Sequence, residues 1–237
     1  MRLDRRDWAG LAFALAIAAL CVRLGFWQLS RLRQRRERNA AVLAARARPP
    51  LEASRALTAD AAQDRQLIAR GSYDFAHEQF WHGRSYEGVP GVDLITPLRL
   101  SDGTAVLVDR GWVPSPDGYH VDARPYREAA EAALLGLGVR APRAPGDVVP
   151  GRLRDSLPYP ILPFIIQELP AAGPLGRPDV GLRRWPAPEL NDGPHLSYAI
   201  QWFSFAAIIA VGSAALLRQR RVPGSRPQSL MHTDRPA

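Results

Sequence analysis

The sequence predicts an α+β membrane protein: two apolar helices, one near each end of the chain, enclose a domain built on an antiparallel β-sheet or small barrel with one or two helices. Residues 196–217 carry no formal charge, and residues 8–27 carry only one, Arg23. Residues 196–217 would form about 33 Å of helix, enough to cross the hydrocarbon core of a bilayer. Between the segments lie short apolar runs bounded by glycine, proline and aspartate, which are typical of β-strands.

The N-terminal segment is interpreted as a retained transmembrane helix and not as a secretory signal peptide. A signal peptide has a shorter apolar centre and a cleavage site of small residues. Here the apolar run continues to the aromatic pair Phe26-Trp27. Two spans place both ends of the chain on one side of the membrane. Arginines flank the first span on both sides, so the positive-inside rule alone leaves the orientation open.

The residues between the spans predict helices at the beginning and mainly strands after them. The helical pattern after the first span continues to Pro49-Pro50, and Thr58 is suited to cap a short helix. Ser101-Asp102-Gly103 between two apolar runs predicts a hairpin, and residues 105–108, apolar on both faces, predict a central strand. Residues 125–135 are rich in alanine and glutamate and are predicted to be helical, with Pro125 in the first turn. The predicted strands are 66–73, 79–86, 92–100, 104–112, 148–154 and 164–169, followed by an irregular segment at 171–194.

Composition argues against several classes of function. The net charge of +8 comes entirely from arginine, since the chain has no lysine, and many of the arginines lie beside the spans. Anionic head groups attract arginines at that position, so membrane lipids are predicted as partners and nucleic acid is not. The single cysteine, Cys21, excludes a disulfide or a Cys-x-x-Cys site. His77 and His82 are five residues apart and would point to opposite faces of a strand, unlike the helical zincin pattern. No nucleophile motif or phosphate loop is present, so the chain is not predicted to be an enzyme.

A histidine at the mouth of the second span is the main candidate for a functional side chain. On a helix, one stripe contains His195, Tyr198, Trp202 and Phe205. The simpler interpretation is an aromatic belt at the membrane interface, with His195 at the start of the helix. The alternative is an imidazole at the head of an apolar trough, which suits a haem iron. Trp27 and Gln28 end the first span at the same depth and are predicted to share this site.

Three sequence blocks resemble the Surfeit locus protein 1 family. The first is Leu24-Gly-Phe-Trp-Gln-Leu-Ser-Arg31, the second is Val108-Asp-Arg-Gly-Trp-Val-Pro114, and the third is His195-Leu-Ser-Tyr-Ala-Ile-Gln-Trp-Phe203. Their order, and the two terminal spans around one domain, also match that family. The resemblance covers nearly the whole chain apart from the two tails.

The resemblance implies a role in the assembly of the haem-a type of cytochrome c oxidase, at the insertion of haem a into subunit I. It implies haem a as a transiently bound cofactor, with His195 as candidate axial ligand and Tyr198, Trp202, Trp27 and Gln28 around it. It further implies subunit I and haem a synthase as partners, and an inner-membrane protein whose central domain is periplasmic. The corresponding regions are a cytoplasmic N-terminus 1–7, a first span 8–29, a periplasmic domain 30–194, a second span 195–217 and a cytoplasmic basic tail 218–237.

An alternative function is a chaperone that stabilises a subunit I intermediate without binding haem. In that case Arg110 and Trp112 of the second block are candidate partner contacts, since arginine and tryptophan are common interface anchors. The sequence favours a structural interpretation of the same block: Gly111 permits a bend and Trp112 packs against the sheet.

Overall fold

The structure, a computed structural model, describes residues 4–141, 157–170 and 180–221. These residues form two compact units. The first contains the chain up to Asn39 and from Asn191 onward, and the second contains residues 40–190. The predicted strand at 148–154 lies outside the described residues, as does part of the predicted irregular segment 171–194.

The first unit contains most of one long helix and the whole of another. Helix α1 runs over Arg5–Ala47, and the last helix, which we number α3, runs over His195–Arg221. Both are long and apolar enough to cross a membrane. Their outward faces expose large apolar side chains such as Phe13 and Val211, as expected of helices that face lipid. As predicted, α1 continues as a helix beyond Trp27 and ends just before Pro49-Pro50, because a proline cannot continue the backbone hydrogen bonding.

The second unit is a closed β-barrel with short helices. Its strands are β1 (Leu51–Glu52), β2 (Gln66–Tyr73), β3 (Gln79–Tyr86), β4 (Val89–Leu100), β5 (Ala105–Pro114), β6 (Glu131–Arg140) and β7 (Ile161–Glu168). The strand order is β1-β2-β6-β7-β5-β4-β3, and an additional pairing of β2 with β4 closes β2, β6, β7, β5 and β4 into a ring. Most pairs are antiparallel, as predicted, but β1 pairs with β2 and β5 pairs with β7 in parallel.

The barrel confirms most of the predicted elements and corrects one. Strands β2 and β3 have the predicted bounds, the β4–β5 hairpin forms as predicted, and residues 105–108 are fully buried. Thr58 caps the short helix α2, Ala59–Ala62, by accepting a hydrogen bond from the Ala61 amide.

The predicted helix at 125–135 is wrong. A 3₁₀ helix, Arg124–Tyr126, contains Pro125, and strand β6 then pairs with β2 and with β7. At Gly138 a Cβ atom would lie 2.0 Å from the Ala62 carbonyl oxygen, so the backbones approach more closely than any other residue permits. Pairing on both edges thus outweighs the helix propensity of the alanines.

Candidate ligand site on the membrane helices

Packing between α1 and α3 fixes the frame of the site. The buried residues of α1 are Cys21, Gly25, Gln28 and Leu32, which form one stripe. At Gly25 a Cβ atom would lie 2.6 Å from the Phe203 ring, so the glycine allows that ring to lie directly on α1. Phe203 also contacts Phe26 edge-on, with ring centroids 5.3 Å apart. Sequence analysis did not single out Phe203, although it lies in the third resembling block.

The structure brings the predicted residues His195 and Gln28 into direct contact. His195 Nδ1 lies 2.9 Å from the Gln28 side-chain oxygen Oε1. An amide oxygen only accepts hydrogen bonds, so the histidine donates from Nδ1–H. The neutral ring then carries its lone pair on Nε2, the nitrogen that is free to bind a metal. Gln28 is 9% exposed, so this bond is largely shielded from water.

The aromatic residues of the predicted stripe are arranged beside His195 at different depths. Trp202 is half-buried and contacts Phe205 edge-on at 5.9 Å. Tyr198 is 46% exposed and Phe205 is 50% exposed, so both lie toward the outer side of the helix pair. Trp27 is also exposed, and the Arg31 guanidinium lies 5.5 Å from the centre of its ring. Trp27 and Tyr198 therefore stand at the rim and not in the contact between the helices.

A polar clasp, which sequence analysis missed, holds the turn before α3 against the outer part of α1. Arg35 Nε and Asn39 Nδ2 both donate to the Asn191 carbonyl oxygen, at 3.2 and 2.9 Å. Arg36 Nε forms an ion pair with Asp192 at 2.8 Å. The only sequence signal was a run of polar residues, Asn191-Asp192, followed by Gly193-Pro194. The clasp fixes the backbone from which His195 projects.

Gly193 lies beside the imidazole of His195. Its φ of +67° favours glycine. A Cβ atom there would lie 3.5 Å from His195 Cδ2 and 3.7 Å from Nε2. Gly193 therefore places no side-chain atom next to the edge of the ring that carries Nε2.

In the second unit, Arg110 is an internal residue. It is the extra residue of a β-bulge, because Leu94 pairs with Gly111 and Ile95 with Asp109. Its side chain is 0% exposed, pairs with Glu78 at 2.9 Å and Glu128 at 3.2 Å, and donates to the Tyr126 carbonyl oxygen. Buried charges need such partners.

Trp112 is 7% exposed and contacts Tyr86. Gly111, with φ +130°, would place a Cβ atom 2.7 Å from the Arg183 carbonyl oxygen. These positions favour the structural interpretation of this block over a direct partner contact.

Two further carboxyl groups are buried near the same bulge. Asp93 binds Arg84 at 2.5 Å and accepts a hydrogen bond from the Trp185 indole at 2.9 Å. Burial raises the pKa of Asp93, an effect that these two partners reduce. Burial raises the pKa of Asp109 well above its ordinary value, and the negative charge of Asp93 raises it further. Asp93 and Asp109 thus have hydrogen-bond or ion-pair partners inside the barrel, and we interpret both carboxyl groups as structural.

The remaining histidines of this unit have local partners. His77 Nδ1 lies 2.9 Å from Asp74, and the ring of His82 lies 5.3 Å from that of Tyr119. Within residues 4–141, 157–170 and 180–221, no group of three or more histidine, cysteine, aspartate or glutamate side chains is arranged to hold a metal ion.

Comparison with known proteins identifies the family. A model of the SURF1 family, the Surfeit locus protein 1 family, matches residues 15–207. The chain belongs to this family. SURF1-like proteins of Mycobacterium tuberculosis and Mycobacterium bovis, both described as uncharacterized, are each 27% identical over 261 residues, covering 95% of this chain and 91% of theirs. The cytochrome oxidase assembly protein SHY1 of Saccharomyces cerevisiae is 30% identical over 149 residues, covering 59% of this chain and 37% of SHY1.

The SURF1 match includes every residue of the candidate site, from Trp27 to Trp202. Membership of the family, together with two helices able to cross a bilayer, identifies the chain as a membrane protein.

Proposed function

We propose that this SURF1 protein assists the assembly of cytochrome c oxidase by holding haem a at His195 while the haem is delivered to subunit I. Membership of the SURF1 family and the similarity to SHY1, a cytochrome oxidase assembly protein, support the assembly role. The observation that carries haem binding is the hydrogen bond from His195 Nδ1 to Gln28, which leaves Nε2 available to iron. Metal-binding histidines commonly donate their second ring nitrogen to such an acceptor.

The residues around His195 fit a haem. Gly193 adds no side chain beside Nε2, where a Cβ atom would lie 3.7 Å away. Trp202 and Phe205 provide apolar surface along the helix, and Tyr198 and Trp27 provide aromatic rims with a polar edge. When bound, haem a would supply an iron that accepts the imidazole as an axial ligand.

A transient complex is consistent with the composition of the site. The site offers one imidazole, and Tyr198 and Trp27 are about half exposed, so the ligand would be incompletely enclosed. Partial enclosure limits the apolar area that binding removes from water, and therefore limits affinity. A carrier must release what it holds, and the reaction requires no covalent turnover by the protein. Haem a synthase is the proposed donor, and surrounding lipids complete the apolar walls.

The proposed orientation places residues 30–194 in the periplasm and both ends of the chain in the cytoplasm. Two membrane crossings, one by each apolar helix, return the chain to the side on which it began. In this orientation, His195 and Gln28 lie at the periplasmic face of the inner membrane.

Purification of the full chain from cells that make haem a tests the proposal. We expect a haem a absorption band in the wild type and its loss, by about tenfold or more, in His195→Ala, because the iron loses its protein ligand. His82→Ala, which replaces an exposed histidine of the other unit, is the matched control and should keep the band. An unchanged haem content in His195→Ala would refute the ligand assignment. A haem-free wild type that still co-purifies with subunit I would instead identify a chaperone without haem.

A further inference from the structure

Along the α1–α3 contact, two arginines of α1, Arg31 and Arg35, follow the His195 site in the outward direction. Positions 28, 31 and 35 form one stripe of α1, and positions 195, 198 and 202 form one stripe of α3, since residues three, four or seven apart share a helix face. The contacts of Gln28 with His195 and of Arg35 with Asn191 show that these two stripes adjoin. The face of the α1–α3 contact that includes His195 thus continues outward to Arg31 and Arg35.

Arg35 is held in place but has no carboxylate partner among the described residues. It uses Nε, one of its five N–H donors, to bind the Asn191 carbonyl oxygen. The nearby carboxylate of Asp192 is already paired with Arg36. Arg31 contacts the Trp27 ring and donates to the neutral Gln34 side chain, at 3.4 Å. Among the residues that the structure describes, no carboxylate is paired with either of these two positive charges.

We propose that Arg35, with Arg31 at the rim, binds the carboxylates of the haem whose iron His195 ligates. This inference rests on the proposed function and specifies how the ligand is oriented. Gln28 and Arg35 are seven residues apart, so about 10 Å of helix axis separates their levels. That separation is comparable with the reach from the iron of a porphyrin to the carboxylates at its edge. Arginine suits this task because its planar fork matches a carboxylate with two parallel hydrogen bonds.

The membrane interface favours the same orientation. The carboxylates of a haem are charged and the rest of its ring is apolar, so the carboxylates belong on the aqueous side and the ring on the lipid side. Arg35 lies on the aqueous side of His195, and Trp202 lies on the other side, deeper along α3. The protein would thus bind the haem in the orientation that the haem itself favours at a membrane interface.

Titration of haem a into the full chain in nanodiscs of neutral phosphatidylcholine tests the proposal. Neutral lipid removes anionic head groups as competitors for the arginines. We expect Arg35→Gln to weaken binding about tenfold, since the glutamine can still donate to Asn191 but cannot pair with a carboxylate. Haem a dimethyl ester, which lacks the charges, should bind the wild type and Arg35→Gln equally weakly. Arg31→Gln should have a smaller effect in the same direction.

Arg33→Gln is the matched control. It removes the same charge from the same segment, but position 33 is two residues from both 31 and 35 and lies on the opposite side of α1. Equal weakening by Arg33→Gln and Arg35→Gln would show a general charge effect, and unchanged binding in Arg35→Gln would also overturn the proposal. If the wild type binds no haem a, or if His195→Ala binds it as well as the wild type, the proposed function itself has failed.

Discussion

At the scale of single residues, the sequence identified the two members of the central contact but not the contact itself. His195 stood out because a ligand-capable side chain at the mouth of a membrane span is unusual, and Gln28 because it lies at the same depth. The hydrogen bond between them joins residues 167 positions apart. No local pattern encodes such a pairing, which depends on the packing of α1 against α3 through Gly25 and Phe203.

The Gln28–His195 bond makes a prediction about the binding nitrogen. Replacing Gln28 with leucine removes the acceptor for Nδ1–H and allows the proton to move to Nε2, so we expect haem a affinity to fall about 10- to 100-fold. Gln28→Glu keeps an acceptor at the same place and should retain binding. Absorption titration measures both affinities. Gln219→Leu, which alters an exposed glutamine near the other end of α3, should have no effect. Equal binding by Gln28→Leu and the wild type would show that Gln28 does not position the imidazole.

At the scale of elements, strands with strong local signals were predictable and those fixed by distant pairing were not. Strands β2 and β3 are short segments that contain apolar pairs, Leu67-Ile68 and Phe80-Trp81, and each ends at a tyrosine. Asp102-Gly103 marks the β4–β5 hairpin, so these elements could be predicted. Strand β6 has the composition of a helix and becomes a strand because β2 and β7 pair with both of its edges. Gly136 and Gly138 were the neglected local evidence, since glycines are unfavourable inside a helix.

The bulge of β5 also explains why the Arg110 block was hard to interpret. Arg110 and Trp112 have the residue types of an interface, yet the inserted residue turns Arg110 inward to Glu78 and Glu128. Without the strand register, the residue types of this motif do not show whether Arg110 is an exposed interface residue or part of an internal ion pair.

Substitution of Arg110 tests its structural role. Arg110→Ala leaves the buried carboxylate of Glu78 without its cation and Glu128 with Arg184 alone, so we expect the free energy of unfolding to fall by about 3–5 kcal/mol. Chemical denaturation of the full chain in detergent measures the change. Arg124→Ala, which removes an exposed ion pair with Asp122, should cause no measurable change. A fully stable Arg110→Ala protein that no longer supports oxidase assembly would instead support the interpretation of Arg110 as a partner contact.

At the scale of the whole molecule, charge and hydropathy determine that the chain enters the membrane but not which way it faces. The net charge of +8 is distributed over both ends of α1 and the chain beyond α3, so the positive-inside rule gives no clear direction. Family membership decides the class of protein. The orientation has a functional consequence, because it determines on which side of the membrane His195 would meet the proposed haem a.

The proposed orientation predicts a labelling pattern for single cysteines. In a Cys21→Ser background, a cysteine at the exposed position Ser85 should react with a membrane-impermeant maleimide in intact spheroplasts, because it belongs to the periplasmic region. A cysteine at the exposed position Arg5 should react only after the membrane is permeabilised. Cys21→Ser without an added cysteine is the control and should remain unlabelled in both conditions. The reverse pattern would place His195 at the cytoplasmic face. It would contradict the proposed orientation, and with it the delivery of haem a from the periplasmic side.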